Sequence, residues 1–478
     1  MTQAAPIRDA GISDTTDTPI TGAGLRPPAP VPQTRPADLF GFLAAARKNP
    51  LTTWTKAHFE KPILYGKGVM GRVLVLNEPE AIRHVLLDNA SNYRKDDLQR
   101  RVLAPGLGEG LLTAEGDEWK LLRRTLAPLF SARNVTGFLS IMDDSAQRLV
   151  ARLTRRLPRE RDMSLEMTRV TLDVLERTIF THGLDRDPDA LSRAITRFFE
   201  AIGPIDPLDV LRMPDFLPRI GRLRARPAIR FFEEVVGELV TRRRALIESG
   251  ADAPRDLLTL LLEARDPETG EPLDEISVQA NIVTFIGAGH ETTANALTWS
   301  LYLLARAPEW AQAIRAEADA VLGDAPATPA ALEQLVHTRA VLEEAMRLYP
   351  PVPFMSREAL GPDRIAGIRV PKGTLVTIAP WVLHRHKTLW NAPDLFDPTR
   401  FLPEHRASIP RYAYLPFGAG PRVCIGQSFS MQEAILILAR VMRAVDIALV
   451  EGQEVTPLHR VTLRPDGPVR MHLKRRSD

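Results

Sequence analysis

One cysteine stands in this chain of 478 residues, Cys424, inside the string Phe417-Gly418-Ala419-Gly420-Pro421-Arg422-Val423-Cys424-Ile425-Gly426. A lone thiol cannot close a disulfide within the chain, build a tetrahedral zinc site or hold an iron–sulfur cluster, each of which needs partners. Three roles stay open to it: inert packing, nucleophilic attack, or service as a single axial ligand. The context favours the ligand. Three glycines let the backbone turn tightly around the sulfur. Arg422 adds positive charge, which is expected to favour the thiolate, and the ring of Phe417 can keep water away.

A second group lies in the longest apolar periodic segment, Val278 to Leu304, as Ala288-Gly289-His290-Glu291-Thr292-Thr293. Gly and Thr are poor helix formers, so their clustering asks for a reason. Ala288 and Gly289 are small enough to let the helix pass close to a flat ligand. Thr292 can bond back to the carbonyl four residues earlier and loosen the ladder, opening a groove where the Glu291 carboxylate could relay protons. A buried helix with one polar turn is the plainer alternative. His290 lies one step off the face of Gly289 and Thr293 and reads as structural, as do His384 and His386, which lack a third ligand. Glu344 and Arg347 stand at i and i+3, just before the helix-ending Leu348-Tyr349-Pro350-Pro351-Val352-Pro353. Trp119 and Arg123 share one side of a helix at i and i+4.

The Cys424 string resembles the haem-binding loop of the cytochromes P450, the haem-thiolate monooxygenases, and matches its Phe, Gly, Arg, Cys and Gly at every fixed place. The hexapeptide around Glu291 resembles that family's oxygen-activating motif. The resemblance implies a mainly α fold with small β-sheets, the triangular-prism cytochrome P450 fold, with haem b between a long distal helix and the cysteine loop. It implies Cys424 as the iron ligand, with Phe417 and Gly426 shaping the loop, and Glu291 and Thr292 as the acid and alcohol that handle protons. Trp119, Arg123, Arg357 and Arg422 become haem propionate contacts. Glu344, Arg347 and Arg400 become structural support for the loop; Thr399 departs from the family's usual Glu before that arginine. The implied substrate pocket draws on the loop near Leu98–Leu112, the stretch Phe198–Phe232 and the turn near Arg460, with Phe285, Ala288, Gly289, Val352, Phe354 and Met355 as lining. Dioxygen would be co-substrate, and a lipophilic small molecule (fatty acid, terpene or steroid-like) the target of hydroxylation or epoxidation. The 54 residues after Cys424 leave no room for a fused redox module, so electrons are expected from a separate ferredoxin and its ferredoxin reductase. NAD(P)H then enters only indirectly. Lys120 and Arg124, beside Arg123, are candidates for steering an acidic partner. A peroxide-using haem-thiolate enzyme and a non-catalytic haem-binding sensor are the alternatives.

The elements that must position these groups read as one large α-rich domain, residues 37–478, behind a Pro-rich tail, residues 1–36. Helical periodicity runs through Ile229–Glu248, Trp310–Leu322 and Met431–Val445. Strand signals lie at Ile63–Tyr65, Arg72–Leu76, near Leu375–Ile378 and in the last thirty residues. Gly66-Lys67-Gly68-Val69-Met70-Gly71 matches a dinucleotide fingerprint literally, but a second strand follows it, which predicts a hairpin instead. Charge is nearly balanced, with 62 Lys and Arg against 59 Asp and Glu, which argues against nucleic-acid binding. No stretch is apolar for the length of a bilayer span and no signal peptide opens the chain, so no membrane anchor is expected and the location reads as cytoplasmic.

Overall fold

The computed structural model describes residues 24–476, apart from 69–70, 182–193, 195–196, 199, 203–205, 211–212 and 215. Among the described residues, ten helices run for ten residues or more. They are α1 (Leu39–Lys48), α2 (Asp97–Leu107), α3 (Gly116–Leu126), α4 (Leu139–Thr154), α5 (Met163–Phe180), α6 (Ile220–Glu248), α7 (Glu275–Leu304), α8 (Pro308–Val321), α9 (Val336–Leu348) and α10 (Gln427–Ala444). The expected α-rich architecture holds; the segments predicted from periodicity coincide with parts of α6, α7, α8 and α10, with Leu322 and Val445 lying one residue beyond α8 and α10. The segment expected as a loop near Leu98–Leu112 is in large part helical. Asp96 caps α2 by accepting from the N–H groups of Leu98 and Gln99, which gives the chain a helix start, and Pro105 is held inside the last turn.

Helix α7 is the axis of the molecule. Asp274 caps its start by accepting from Ser277 N–H. Residues 293–304 are buried without exception, as expected of a helix apolar on all sides. It packs against α5, α6, α9 and α10. The Trp299 indole stacks on Tyr349 at 3.7 Å and 10°, which locks α7 to the end of α9. Among the described residues, no helix is long and apolar enough to cross a membrane.

Among the described residues, twelve short strands form four small sheets. They are β1 (Ile63–Gly68), β2 (Gly71–Leu76), β3 (Tyr93–Lys95), β4 (Arg159–Asp162), β5 (Met355–Ala359), β6 (Asp363–Ile365), β7 (Ile368–Val370), β8 (Leu375–Ile378), β9 (Val445–Leu449), β10 (Pro457–His459), β11 (Leu463–Pro465) and β12 (Arg470–Arg475). The largest sheet has the order β1-β2-β8-β5-β3, with β2 and β8 parallel and the other pairs antiparallel. The glycine string at 66–71 belongs to the β1–β2 hairpin, where Gly68 pairs with Gly71 across residues 69–70. No helix N-terminus follows it, so the geometry that would hold a pyrophosphate is missing. Of the stretch read as a tail, residues 24–36 lie along the body. Phe396 N–H donates to Leu25, Tyr349 Oη–H to Pro28 and Gln33 N–H to Trp54, all to carbonyls. Residues 1–23 lie outside the described residues.

Behind the cysteine loop lies a buried polar frame. Arg347 and Glu344, both fully buried, form a two-pronged ion pair with N–O distances of 2.6 and 2.7 Å. The remaining Arg347 N–H groups donate to the carbonyls of His384, Pro393 and Leu395. Arg400 joins as expected, but at 3.7 Å from Glu344 and without a hydrogen bond from Nε. Asp397 takes the N–H and hydroxyl of Thr399 and donates its own N–H to Glu344, so the backbone fills a place beside the acid. His384 is the link forward. Its Nδ1–H donates to Arg347 O, and its Nε2 accepts from Leu415 N–H at 2.8 Å. That fixes one neutral tautomer and ties the frame to the residue two before Phe417. His386 is structural too, donating to Lys61 O and accepting from Thr388.

Burial, then the charges of Arg347 and Arg385, push His384 down to about 3. Burial alone is the leading cause that pushes His290 to about 4 and His459 to about 3. In the unfolded chain each titrates near its ordinary value, so its stabilisation is complete above about pH 6.5 and is lost as the solution acidifies toward the native value. At pH 5 the loss should be about 2 kcal/mol per histidine. Denaturant midpoints of the ferric protein at pH 7 and pH 5 should therefore differ markedly; equal midpoints would contradict the neutral, buried state of these rings.

Candidate active site

The cysteine loop is seated on backbone, not on side chains. Gly420 has φ +71°, and a Cβ there would fall inside the carbonyl oxygen of Leu86, in the single π-turn His84–Asp88. Only glycine satisfies both demands. Val423 N–H donates to Gly420 O at 3.0 Å and Cys424 N–H to Phe417 O at 2.9 Å, closing the loop on itself. The loop then runs into α10, and the Gly426 N–H points at the Cys424 sulfur. The Arg123 guanidinium, on α3, donates to Val423 O at 2.9 Å.

Cys424 has accessible surface although protein surrounds it densely. Both are true of a sulfur that looks into an internal recess. Burial pushes its thiol up, against the Gly426 N–H and the Arg123 charge. Two expectations change here. The cation that bears on the sulfur is Arg123, not Arg422, and the protein environment alone does not favour the thiolate. A metal ligated there would itself remove the proton. Among the described residues, no group of three or more His, Cys, Asp or Glu could hold a metal ion, so a metal at Cys424 must bring its other ligands with it, as a macrocycle does.

Opposite the loop, α7 is held to α10 by a hydrogen bond between the Thr293 and Ser430 hydroxyls, 2.9 Å apart. Beside that contact Ala288 is exposed and Thr292, one turn on, is half-buried, as are Gly287, Gly289 and Glu291 around them. The Thr292 hydroxyl donates to Ala288 O at 2.8 Å, the back-bond expected from the sequence. Burial pushes the Glu291 carboxyl group up, against the influence of Thr462 and Arg464 on the β10–β11 hairpin. His290 is buried and bonds to Ile286 O, away from the accessible row.

The reading of Gly289 as a residue that lets the helix approach a ligand is corrected. A Cβ there would meet the Leu175 side chain of α5 at 3.0 Å, so its smallness serves the packing of α5 on α7. Phe285 lies in the core, edge-on to Phe130 at 5.2 Å. Phe354 packs edge-on against His459 at 5.1 Å. Met355 reaches the glycine turn at Gly418, and Val352 is 40% exposed. Part of Phe198–Phe232 lies outside the described residues.

At the edge of the recess the sheet gathers cations. Lys95 on β3 pairs directly across from Arg357 on β5, a juxtaposition of like charges that costs stability without a counter-charge. Arg422 adds a third. It lies over the Trp119 ring at 4.0 Å, donates to Glu115 at 2.6 Å and leaves Nη1 buried without a partner. Burial, then Arg422, pushes Lys95 down to about 7 and Arg357 down to about 10. Glu115 bears on all three cations and Asp96 on Arg357, so two carboxylates face three cations. Two carboxylates arriving together would complete this set, and haem carries two propionates. The donor set therefore fits the group: Arg357 and Arg422 as expected, Lys95 in addition, Trp119 as the platform for Arg422, and Arg123 turned toward the cysteine loop.

The family model described as Cytochrome P450 matches residues 30–471. This chain belongs to the cytochrome P450 family. It is 32% identical over 399 residues to cyclooctatin synthase of Streptomyces melanosporofaciens, spanning 82% of this chain and 84% of that one. It is 34% identical over 368 residues to a bifunctional cytochrome P450/NADPH–P450 reductase 2 of Bacillus subtilis, covering 75% of this chain and 34% of that longer one. It is 30% identical over 426 residues to a cytokinin hydroxylase of Arabidopsis thaliana, with 88% and 82% covered. Membership makes the chain an oxygen-incorporating oxidoreductase that binds haem b, uses O2 and receives reducing equivalents through redox partners.

Lys95 escaped the sequence reading. The only signal was a basic pair ending a short strand just before the Asp96 cap. Gly420→Ala should cost about 2–4 kcal/mol from strain and overlap combined and leave much of the purified protein without haem. The haem-to-protein ratio and the unfolding midpoint check this. Wild-type values for both would show that the loop is not seated as described.

Proposed function

We propose that this cytochrome P450 hydroxylates or epoxidises a lipophilic small molecule, of fatty-acid, terpene or steroid-like character, with electrons from a separate ferredoxin and its reductase. The observation that carries the reading is the pair on α7: an accessible Thr292 hydroxyl bonded to Ala288 O, next to Glu291, whose carboxyl group burial pushes up.

Haem bound at Cys424 supplies the reductive activation of dioxygen, and the thiolate favours O–O cleavage. What the chain supplies is control of protons and water. Burial disfavours the charge of Glu291 and so favours its protonated form, while Thr462 and Arg464 favour the anion. Thr292 gives its own proton to Ala288 O, which leaves its oxygen lone pairs free to accept from a water in the groove. Ala288, Phe354 and Met355 offer apolar surface, which suits an oily substrate. The relative named as a hydroxylase supports the reaction class.

The relative from Bacillus subtilis is named as a fusion with its reductase; here a separate ferredoxin is the proposal. Its docking does not rest on the two cations singled out in the sequence. Lys120 pairs with Asp117 at 2.8 Å, and Arg124 pairs with Asp266 and Glu268 at 2.5 and 2.7 Å. Their charges are answered locally.

A panel of fatty acids, terpenes and steroids, screened by the high-spin shift of the ferric protein, will supply a test substrate. With it, Thr292→Ala should lose coupling roughly tenfold or more and divert electrons to peroxide, while the spin shift is kept. Unchanged coupling would remove the proton-handling role. Turnover by added peroxide far above the ferredoxin route would favour a peroxide-using enzyme instead.

A further inference from the structure

The π-turn His84–Asp88 presents the Leu86 carbonyl on which Gly420 is seated. π-turns are uncommon and gather at functional sites, and this one is held by a carboxylate from another part of the chain. Asp363, at the start of β6, accepts at Oδ2 from three side chains: His84 Nε2–H at 2.9 Å, Asn89 Nδ2–H at 3.0 Å and Tyr93 Oη–H at 2.6 Å. Its Oδ1 accepts from Arg364 N–H at 2.7 Å. His84 opens the π-turn, and Asn89 closes it by donating its N–H to His84 O at 2.8 Å. Leu86 lies between them, so the carbonyl that receives Gly420 is clamped on either side by one carboxylate oxygen. Tyr93 extends the clamp to β3.

Asp363 is itself fixed. It pairs with Val370 across the β6–β7 ladder. Just before it, the N–H groups of Leu360 and Gly361 donate to the backbone and side-chain oxygens of Asn92, both at 2.8 Å. Only 11% of its side chain is exposed. Burial opposes its charge, but the bonds from Tyr93, His84, Arg364 N–H and Asn89 outweigh burial and hold the carboxyl group below its usual value. Bonds to an ionised acceptor are about twice as strong as neutral ones, so removing this one group releases three charge-assisted bonds at once.

We propose that Asp363 is a positioning residue for the cysteine loop: by gathering His84, Asn89 and Tyr93 on one oxygen it sets the Leu86 carbonyl against which Gly420 turns, and so sets the place of the Cys424 sulfur. The action is indirect. Asp363 reaches the π-turn, the π-turn reaches Gly420, and the bonds from Val423 to Gly420 and from Cys424 to Phe417 carry the constraint to the ligand. Neither the cysteine string nor the α7 hexapeptide contains Asp363, His84, Asn89 or Tyr93; they meet the loop only in the fold.

The test reads the loop apart from turnover. In the ferric holoprotein, amide hydrogen exchange is followed over the peptide that carries the Val423 and Cys424 N–H groups, whose bonds close the loop. In parallel, the reduced carbon monoxide complex is timed as its red-shifted thiolate band gives way to that of a haem without thiolate. Asp363→Ala should speed both by about tenfold, while exchange across α7 keeps the wild-type rate, as expected of a local opening. Asp256→Ala is the control for lost stability alone. It takes a buried carboxylate from Arg243 and Thr181, in a cluster that shares no hydrogen bond with the loop among the described residues, and should leave both rates as they are. Loop rates in Asp363→Ala no faster than in Asp256→Ala would overturn the proposal. Should Asp363→Ala fail to retain haem, Tyr93→Phe, which removes one donor and keeps the ring, carries the same test with a rise of about threefold; wild-type rates there would overturn it equally. The exchange rates do not presuppose a thiolate ligand, so an error in the assignment of Cys424 would show in the optical band and leave the exchange result to decide the role of Asp363.

Discussion

The Cys424 sulfur is fixed from two sides by contacts that have no slack. On one side Gly420 lies flat against the Leu86 carbonyl. On the other, the Leu415 N–H is received by His384, which hangs from the buried Arg347–Glu344 pair. A buried ion pair of this kind contributes little net stability, and breaking it is costly. Its value here is rigidity: five of its hydrogen bonds end on backbone or carboxylate atoms that shape the wall behind the loop. The distal helix is then registered to the same wall through Thr293 and Ser430, so ligand loop and proton-handling residues are positioned from one frame.

Electrostatics make the recess specific. Protein alone favours the protonated thiol and leaves Lys95, Arg357 and Arg422 crowded together with fewer carboxylates, Glu115 and Asp96, than cations. Both imbalances would be relieved by the same partner, a metal for the sulfur and a pair of carboxylates for the cations. The polypeptide is thus complementary to haem in charge at both ends of the recess, and the cofactor completes the electrostatics of the fold.

Much of the site was legible because its signals are local. The Thr292 back-bond and the Glu344–Arg347 pair depend on spacing within a helical turn, and both contacts are present. Errors arose where a role depends on what another element brings. The smallness of Gly289 was visible, but not that Leu175 of α5 would fill the space. The charge of Lys95 was visible, but not the register that sets it opposite Arg357. Arg422 was credited with the field that Arg123 exerts, because proximity in sequence is a poor guide to direction in a loop. The basic face of α3 was read without the segment carrying Asp266 that folds over Arg124.

The central claim is that Cys424 delivers a thiolate to haem iron. The most direct measurement is the optical spectrum of the reduced carbon monoxide complex in wild type and Cys424→Ser. The wild type should show the red-shifted Soret band of a thiolate-ligated haem, and Cys424→Ser should lose it even where haem is retained. The same band in both proteins would contradict the assignment of the ligand.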